Sequence, residues 1–233
     1  MHNWNAAYQA WRKEIFHADR SIKPNEQQDE ILQSIHRRCV TEAMGKDSDN
    51  SEPFLRLIHG LPGSGKSQLL KWIRTYFEKV WLWTLGREFV FIAPQNSMAA
   101  GIDGWTVHGW GNIVLIDKRG KRIAPQRHDS SDSVPAMCTK TGALRWIFLD
   151  EVEATGTEVS GHLEHNVRFH VPAKSPFKYK DKLIRAFGGV NVCFLGDFWQ
   201  LRPTGQIALM SNPFAQKVLE SARAQTIMGM FWY

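Results

Sequence analysis

Short apolar runs recur along the chain, and stretches with helical spacing of apolar residues separate them. These runs lie within residues 54–59, 89–93, 145–150 and 191–196. Apolar runs of this length without polar alternation are typical of strands buried on both faces, and strands that alternate with helices favour a parallel sheet. The pattern therefore predicts an α/β fold in which helices flank a parallel sheet.

Two amphipathic helices are predicted before the first run. In residues 4–18, and again in the helix that starts at Asn25, apolar side chains recur at spacings of three and four. The polar residues 45–53 then predict a loop. We therefore divide the chain into an N-terminal helical segment, residues 1–50, and a sheet-containing domain, residues 51–233.

The first strand-to-helix connection carries a complete phosphate-loop motif. Residues 60–67 read Gly-Leu-Pro-Gly-Ser-Gly-Lys-Ser, the pattern G-x-x-x-x-G-K-S, between an apolar run and a helical pattern. Backbone N–H groups and the helix dipole hold phosphates in such a loop, the lysine reaches the β- and γ-phosphates, and the serine hydroxyl ligates Mg²⁺. The motif predicts a P-loop NTPase that binds ATP and Mg²⁺, and a glycine-rich turn without a ligand is the alternative. The nucleotide-binding candidates in the loop are Gly60, Gly63, Ser64, Gly65, Lys66 and Ser67.

Acidic and amide side chains follow the later runs. Asp150 and Glu151 end the third run, in the position of a Walker B pair. Asp150 is the candidate for the Mg²⁺ shell, and Glu151 is placed to orient and deprotonate the attacking water. Gln200 follows the fourth run and is the candidate γ-phosphate sensor, since a neutral amide donates to phosphate without a charge penalty. An acidic pair at a helix N-terminus and an ordinary strand-to-loop turn are the respective alternatives.

These side chains are predicted to lie in one site. Ligands bind parallel sheets at the carboxyl ends of the strands. Gly60, Pro94, Asp150 and Asp197 each fall at such an end. The catalytic candidates are thus Lys66, Glu151 and Gln200, with Ser67 and Asp150 as the metal ligands.

Composition bounds the environment of the protein. The formal net charge of +6 is consistent with a polyanionic partner. The three cysteines are far apart and have neither a disulfide nor a zinc spacing, which favours a reducing compartment. No apolar run reaches the roughly 18 residues that a membrane span requires, and the first residues lack the form of a signal peptide. We therefore expect an intracellular protein without a membrane partner.

Two basic segments, residues 117–145 and 168–185, interrupt the α/β pattern and predict surface insertions. A solvated basic face and a track for a nucleic-acid backbone are the two interpretations. The basic residues concerned are Lys118, Arg119, Lys121, Arg122 and Arg127 in the first segment, and Arg168, Lys174, Lys178, Lys180, Lys182 and Arg185 in the second.

Several motifs together resemble a known helicase family. The run Gly196-Asp-Phe-Trp-Gln-Leu-Arg-Pro203 is similar to motif III of superfamily 1 DNA helicases of the Pif/RecD type, and residues 187–192 match its lead-in. Residues 93–110 resemble the motif Ia region, with Thr-x-His in register. The terminal Phe231-Trp232 resembles the segment after motif III. The resemblance spans most of the chain in the family's order, and it implies a RecA-like motor domain.

The resemblance also implies a residue that reads the adenine. Asn25-x-x-Gln28 is similar to the Q motif of these helicases, in which the glutamine accepts from and donates to the adenine edge. Gln27 is the second choice for this role. The same residues fit a helix capping box, which is the competing interpretation of Gln28.

Contacts to single-stranded DNA follow from the motif Ia resemblance. Thr106 and His108 are the implied contacts, through phosphates, and a packed histidine at a helix start is the alternative for His108. Trp105 and Trp110 are candidates for stacking on bases. Core packing is the favoured interpretation of both tryptophans.

The chain departs from the family pattern at several positions. Ser97 stands at the place of a basic residue in motif Ia, Glu153 stands where motif II commonly has serine, and Arg202 replaces the first proline of motif III. Motifs IV, V and VI, which belong to the second RecA-like domain and supply further arginines, are not found before residue 233. We therefore expect a truncated first motor domain with weak hydrolysis, which a second domain in trans would complete.

The function implied by the resemblance is that of an ATP-dependent DNA helicase moving 5′→3′ on single-stranded DNA. It further implies a nuclear or mitochondrial location and a role in DNA repair, recombination or telomere maintenance. Two alternatives remain: a P-loop ATPase of another kind, and a nucleic-acid-binding module without catalysis. The Thr-x-His and Gly-Asp-Phe-x-Gln-Leu segments argue against the first of these.

Overall fold

The computed structural model describes residues 3–17, 21–45, 52–113, 115–116, 122–123, 134–200, 203 and 205–232. The α-helices are α1 (Trp4–Ile15), α2 (Glu26–Ala43), α3 (Lys66–Tyr76), α4 (Asn96–Gly101), α5 (Val107–Trp110), α6 (Val134–Thr141), α7 (Thr157–His170), α8 (Gln216–Leu219) and α9 (Ala222–Trp232). The strands are β1 (Leu55–His59), β2 (Phe89–Ala93), β3 (Trp105–Thr106), β4 (Leu115–Ile116), β5 (Arg122–Ile123), β6 (Trp146–Leu149), β7 (Tyr179–Lys180), β8 (Leu183–Ile184) and β9 (Asn191–Gly196). A π-helical turn, Phe77–Trp81, continues α3, and 3₁₀ turns cover Val152–Ala154 and Ala186–Gly189.

A five-stranded parallel sheet forms the centre, in the order β1-β9-β6-β2-β3. The four predicted apolar runs became β1, β2, β6 and β9, so the predicted parallel α/β fold is confirmed. The short β3 was not predicted, because two residues are too few to show a pattern. Two antiparallel hairpins, β4–β5 and β7–β8, lie outside this sheet, in the basic segments.

Alternate residues of the central strands β2, β6 and β9 face opposite cores. On β6, Trp146 and Phe148 pack into one buried cluster, whereas Ile147 and Leu149 pack into the other. This alternation follows from the two-residue period of a strand. Trp146 is fully buried, and truncation of such a side chain to alanine costs about 3–5 kcal/mol. The two clusters therefore hold helices on both faces of the sheet.

The N-terminal helices share the first of these cores. Trp11 of α1 and Ile35 of α2 belong to the same buried cluster as Ile73 of α3 and Trp146 of β6. The predicted boundary near residue 50 therefore marks a change of secondary structure within one hydrophobic cluster. No helix among the described residues combines the length and the apolar character needed to cross a membrane.

A buried carboxylate fixes α2 to the sheet. Glu42 accepts hydrogen bonds from Arg145 (2.7 Å), Arg38 (2.8 Å) and Asn191 (2.8 Å). The guanidinium of Arg145 also lies 4.0 Å from the ring centroid of Phe177. A buried charge is stable only when paired and hydrogen-bonded, and this network meets both conditions. It sets the position from which the first turn of α2 reaches the phosphate loop.

Candidate nucleotide-binding site

The candidate residues gather at the carboxyl edge of the sheet. The phosphate loop follows β1, Asp197 follows the neighbouring strand β9, and Asp150 follows β6, the next strand. Pro94 follows β2 on the far side of β6. The sheet order thus places the loop, the aspartate of motif III and the acidic pair side by side, as the strand ends predicted.

The phosphate loop adopts backbone conformations that require glycine. Gly63 and Gly65 have φ values of +78° and +86°, a region that other residues enter only with strain. Gly60 donates its N–H to the carbonyl of Gly196 (3.1 Å) at the end of β9, and a Cβ at Gly60 would lie 2.5 Å from the Ser64 hydroxyl oxygen. The loop is therefore joined to the adjoining strand, and a side chain at its first glycine would displace the Ser64 hydroxyl.

Lys66 begins α3 and turns its side chain back onto the loop. Its Nζ donates to the carbonyl oxygen of Gly60 at 2.5 Å and lies 3.4 Å from that of Leu61. The N-cap of α3 is Gly65, which offers no side-chain cap to the first N–H groups of the helix. The first turn of α3 therefore presents N–H groups and an ammonium group together, which is the arrangement that binds phosphates.

Asp150 is buried beside these groups, with 6% of its surface exposed. Burial, reinforced by the charge of Glu151, raises the pKa of Asp150 to about 6, whereas the charge of Lys66 lowers it. A cation would relieve the cost of burying this carboxylate. Asp150 and the exposed Ser67 hydroxyl both offer the oxygen ligands that Mg²⁺ prefers, alongside phosphate oxygens and water. These residues fit a magnesium site.

Glu151 takes a left-handed backbone conformation, with φ of +52° and ψ of +47°, which is uncommon for a residue other than glycine. Its N–H donates to Oδ1 of Asp150 (3.1 Å). The turn therefore sets the carboxylates of Asp150 and Glu151 in a fixed relation at the end of β6. Such outliers cluster at functional sites.

Glu153 is a buried carboxyl at the same strand ends. It is 5% exposed, neither of its oxygens makes a hydrogen bond of good geometry with the described residues, and a Cβ on Gly196 would lie 2.1 Å from its Oε2. Burial, followed by the adjacent Glu151 side chain, raises the pKa of Glu153 to about 8. Glu153 stands where the family pattern commonly has serine. Its raised pKa keeps this carboxyl predominantly protonated at neutral pH, between motif II and motif III.

The motif III side chains form a small polar group around Asp197, which is 1% exposed. Its Oδ1 accepts the N–H of Trp199 (3.0 Å), and its Oδ2 lies 3.4 Å from Nε2 of the exposed Gln200. His59 at the end of β1 places Nε2 3.6 Å from Oδ1 of Asp197 and stacks on Phe198. His59 was missed from the sequence, where its only signal is a polar residue directly before the loop.

Gln28 lies against the phosphate loop. It completes a capping box with Asn25 at the start of α2, so the capping interpretation is confirmed. Its Nε2 donates to the carbonyl oxygen of Ser64 at 3.2 Å. Gln27 is exposed. The adenine-reading role of either residue stays a prediction.

The two DNA-contact candidates lie at the opposite end of the sheet, next to β3. Thr106 caps α5, with its hydroxyl oxygen accepting the N–H of Gly109 (3.1 Å). His108 is half-buried, its Nε2 is buried without a hydrogen-bond partner in the part of the chain that the structure describes, and burial lowers its pKa. Trp110 is 3% exposed, so core packing is confirmed for it, whereas Trp105 is 40% exposed and lies over Gly86. DNA contact by Thr106 and His108 stays a prediction.

The second basic segment is only partly available to a ligand. Lys178 is 5% exposed and its Nζ donates to the carbonyl oxygens of Phe169 and Val171, at the end of α7. Arg185 is 4% exposed and donates to the carbonyl of Phe177 (3.2 Å). Assigning these two residues to a nucleic-acid track or a solvated face was therefore wrong.

The other basic side chains differ in their exposure. Lys174 and Lys182 are exposed, Lys180 pairs with Glu52 (2.6 Å), and Arg168 pairs with Glu164 (3.3 Å). The first basic segment is described less fully: Lys118, Arg119, Lys121 and Arg127 lie outside the described residues, as do Leu201 and Arg202 of motif III.

Fold and site together define a RecA-like P-loop domain, a five-stranded parallel sheet flanked by helices with a phosphate loop after its first strand. No protein-family model matches the chain, and no curated protein matches it. Solved structures do share its fold. They include the Pif1 helicase from Bacteroides in complex with ADP-AlF3 and ssDNA (TM-score 0.50, 19% identity) and the Pif1 helicase from Candida albicans (TM-score 0.53, 16% identity).

The matched region is most of this chain and a smaller part of those helicases. It covers 86% of this chain and 37% of the Bacteroides chain, and 89% of this chain and 38% of the Candida chain. At this level of identity the likeness shows the fold. The described part of the chain therefore has the fold of a Pif1-like helicase motor domain.

Proposed function

We propose that this chain is a motor domain of an ATP-dependent DNA helicase, which binds and hydrolyses ATP in contact with single-stranded DNA and moves 5′→3′. The proposal rests on the arrangement of residues at the carboxyl edge of the sheet. A glycine-dependent phosphate loop, Lys66 and the Asp150-Glu151 pair occupy adjoining ends of parallel strands, in a fold shared with Pif1 helicases. The Bacteroides structure contains ADP-AlF3 and ssDNA, which supports both ligands for this chain.

Each residue has a distinct task in this proposal. The N–H groups of the loop and the ammonium of Lys66 bind the phosphates of ATP, and Ser67 and Asp150 hold Mg²⁺. Bound there, Mg²⁺ supplies positive charge that stabilises the negative charge of the phosphates. Glu151 orients the attacking water and accepts its proton, and Gln200 donates to the γ-phosphate.

Completion of the site is also part of the proposal. The solved Pif1 chains extend well beyond the matched region. We propose that full turnover requires a second RecA-like domain across the nucleotide, whether in the same protein or in trans. An arginine supplied in this way contributes about 10³–10⁵ in rate in related phosphoryl-transfer enzymes.

One observation favours the alternative of a P-loop ATPase without helicase activity. Thr106 accepts a helix-capping hydrogen bond at its hydroxyl oxygen, and Lys178 and Arg185 are buried. Several candidate contacts to DNA thus serve the fold. The two functions differ in one measurable property, the response of ATP turnover to single-stranded DNA.

The test compares ATP turnover with and without oligo-dT, in the wild type and in Glu151→Gln. The helicase proposal expects stimulation by oligo-dT in the wild type. The variant keeps the size and hydrogen bonding of the side chain but removes the base, so it should bind Mg-ATP normally and hydrolyse it about 10²–10⁴-fold more slowly. Turnover that ignores oligo-dT would favour the alternative, and equal rates in wild type and variant would remove Glu151 from catalysis.

A further inference from the structure

The side-chain amide of Gln28 joins the first turn of α2 to the phosphate loop. Its Oε1 accepts the backbone N–H of Asn25 at 3.0 Å. Its Nε2 donates to the carbonyl oxygen of Ser64 at 3.2 Å and lies 3.5 Å from that of Gly65. The approach is close, because a Cβ on Gly65 would lie 2.7 Å from Nε2. Both ends of the amide are thus engaged by the backbone.

The orientation of this amide follows from its partners. A backbone N–H requires an acceptor, and carbonyl oxygens require a donor. Only one of the two flips of the amide puts Oε1 toward Asn25 and Nε2 toward Ser64 and Gly65. The capping box fixes the side chain in turn, since the N–H of Gln28 donates to Oδ1 of Asn25 at 2.8 Å. Helix α2 therefore presents a preset N–H donor to the loop.

This donor controls the direction of the groups that bind phosphate. A peptide unit is planar and trans, so its C=O and N–H point in opposite directions. A bond to the carbonyl of Ser64 fixes the N–H of Gly65, and the approach to the carbonyl of Gly65 constrains the N–H of Lys66. Gly65 has no Cβ and a φ of +86°, so its flanking peptides rotate more freely than those of other residues. A hydrogen bond from outside the loop therefore restricts peptide rotation most at such a position.

We propose that Gln28 is a positioning residue for the phosphate loop, which orients the N–H groups of Gly65 and Lys66 toward the phosphates and contributes to affinity without reading the base. The inference rests on the proposed binding of a nucleoside triphosphate. It differs from the role that the family resemblance implies for Gln28, in which the amide contacts adenine. It also differs from capping alone, because the cap uses Oε1 and leaves the task of Nε2 unexplained.

The three roles are separated by the ligand and by the variant. Calorimetry would measure the affinities of Mg-ATP, Mg-GTP and Mg-tripolyphosphate, which share the phosphates and differ in the base or lack it. Gln28→Ala removes both contacts. Gln28→Glu keeps the acceptor that completes a capping box but removes the donor to the loop. Glu26→Gln, an exposed position in the same turn, is the control for a change of one charge.

Positioning predicts that Gln28→Ala loses affinity for all three ligands by one common factor, and that Gln28→Glu also loses affinity for all three. About threefold to tenfold is the range for one neutral hydrogen bond, and Gln28→Glu adds the effect of its charge. Glu26→Gln should leave all three affinities unchanged. Thermal unfolding of Gln28→Glu should lie closer to the wild type than that of Gln28→Ala, because its cap is intact although the hydrogen bond to Ser64 is lost.

Distinct results would overturn the inference. A loss of affinity confined to Mg-ATP would show that Gln28 contacts the adenine. Wild-type affinities in Gln28→Glu would show that Gln28 acts only as a helix cap. A wild-type chain that binds none of the ligands would refute the proposed function instead. In that case NMR still decides: positioning predicts lower backbone order parameters at Gly65 and Lys66 in Gln28→Glu, with those of α2 unchanged. Unchanged backbone order parameters at Gly65 and Lys66 would refute the inference.

Discussion

The two ends of the carboxyl edge of the sheet differ in how their polar groups are used. At the β1, β9 and β6 end, the Lys66 ammonium donates to loop carbonyls, and Ser67 and Gln200 are exposed, so these side chains are available to a ligand. At the β3 end, the Thr106 hydroxyl caps a helix and His108 is half-buried. The basic segment 168–185 repeats this second pattern, because Lys178 is buried against carbonyl groups.

This difference has a physical origin. A phosphate loop is one contiguous segment, and its backbone conformation follows from its own glycines. A DNA surface is assembled from side chains that are distant in sequence. In the sequence, a lysine or threonine that contacts DNA looks the same as one that hydrogen-bonds to a helix end. Only the tertiary structure distinguishes these two roles.

The largest expected effect is at the phosphate loop. Lys66→Ala should weaken Mg-ATP binding by at least about 10²-fold, because it removes a cation from the phosphates. The thermal stability should change little, since the ammonium bonds to loop carbonyls and is not part of either hydrophobic cluster. Calorimetry would measure the affinity, with Lys71→Ala, an exposed lysine of α3, as the control. Unchanged affinity in Lys66→Ala would refute the phosphate-binding role of the loop.

The second prediction concerns the buried lysine in the basic segment. Lys178→Ala should reduce the free energy of unfolding by about 2–4 kcal/mol, because two carbonyl oxygens at the end of α7 lose their donor. Lys182→Ala, at an exposed position of the same hairpin, should change it by less than about 0.5 kcal/mol. Urea denaturation would measure both. Equal effects of the two substitutions would show that the contrast between buried and exposed lysines is wrong.

A third prediction uses the carboxyl of Glu153. Its pKa is raised from the usual value of 4.5 to about 8, so between these values the folded protein binds more protons than the unfolded chain. Stability contributed by this group is therefore lost as the pH rises through that window. Glu153→Gln cannot titrate, so its stability relative to the wild type should increase by up to about 1.4 kcal/mol per pH unit from pH 5 to 7.

Urea denaturation of both proteins at several pH values would measure this difference, because titrating groups that do not interact with Glu153 cancel in the comparison. Glu158→Gln, on α7, is the control for loss of a carboxylate. A difference between Glu153→Gln and the wild type that does not vary with pH would show that Glu153 titrates as an ordinary glutamate.

The sequence was sufficient for the elements whose signal is local. Residues 89–93 and 191–196 became strands with the predicted bounds, and the phosphate loop follows the first strand. The sequence was insufficient where the destination of a side chain depends on a distant partner. The contact of Gln28 with Ser64 spans 36 positions, and the burial of Glu153 depends on Gly196. Neither contact leaves a periodic signal.

The smallest expected effect is at the exposed lysines of the β7–β8 region. If this face contacts DNA, Lys182→Glu should flatten the dependence of oligo-dT affinity on salt by about 0.7 log units per log salt, the contribution of one phosphate contact. Lys174→Glu should do the same, because Lys174 is also exposed.

Lys217→Glu on α8 makes the same change of charge on another element, and it should leave the slope unchanged. Fluorescence anisotropy over a range of salt concentrations would measure all three. Equal slopes in the wild type, Lys182→Glu and Lys174→Glu would assign these two lysines to a solvated face. Equal flattening in Lys217→Glu would show that net charge alone attracts the DNA. A flatter salt dependence in Lys174→Glu and Lys182→Glu alone would show that the exposed lysines of the basic segment contact DNA. Its buried members, Lys178 and Arg185, are not available for such contacts.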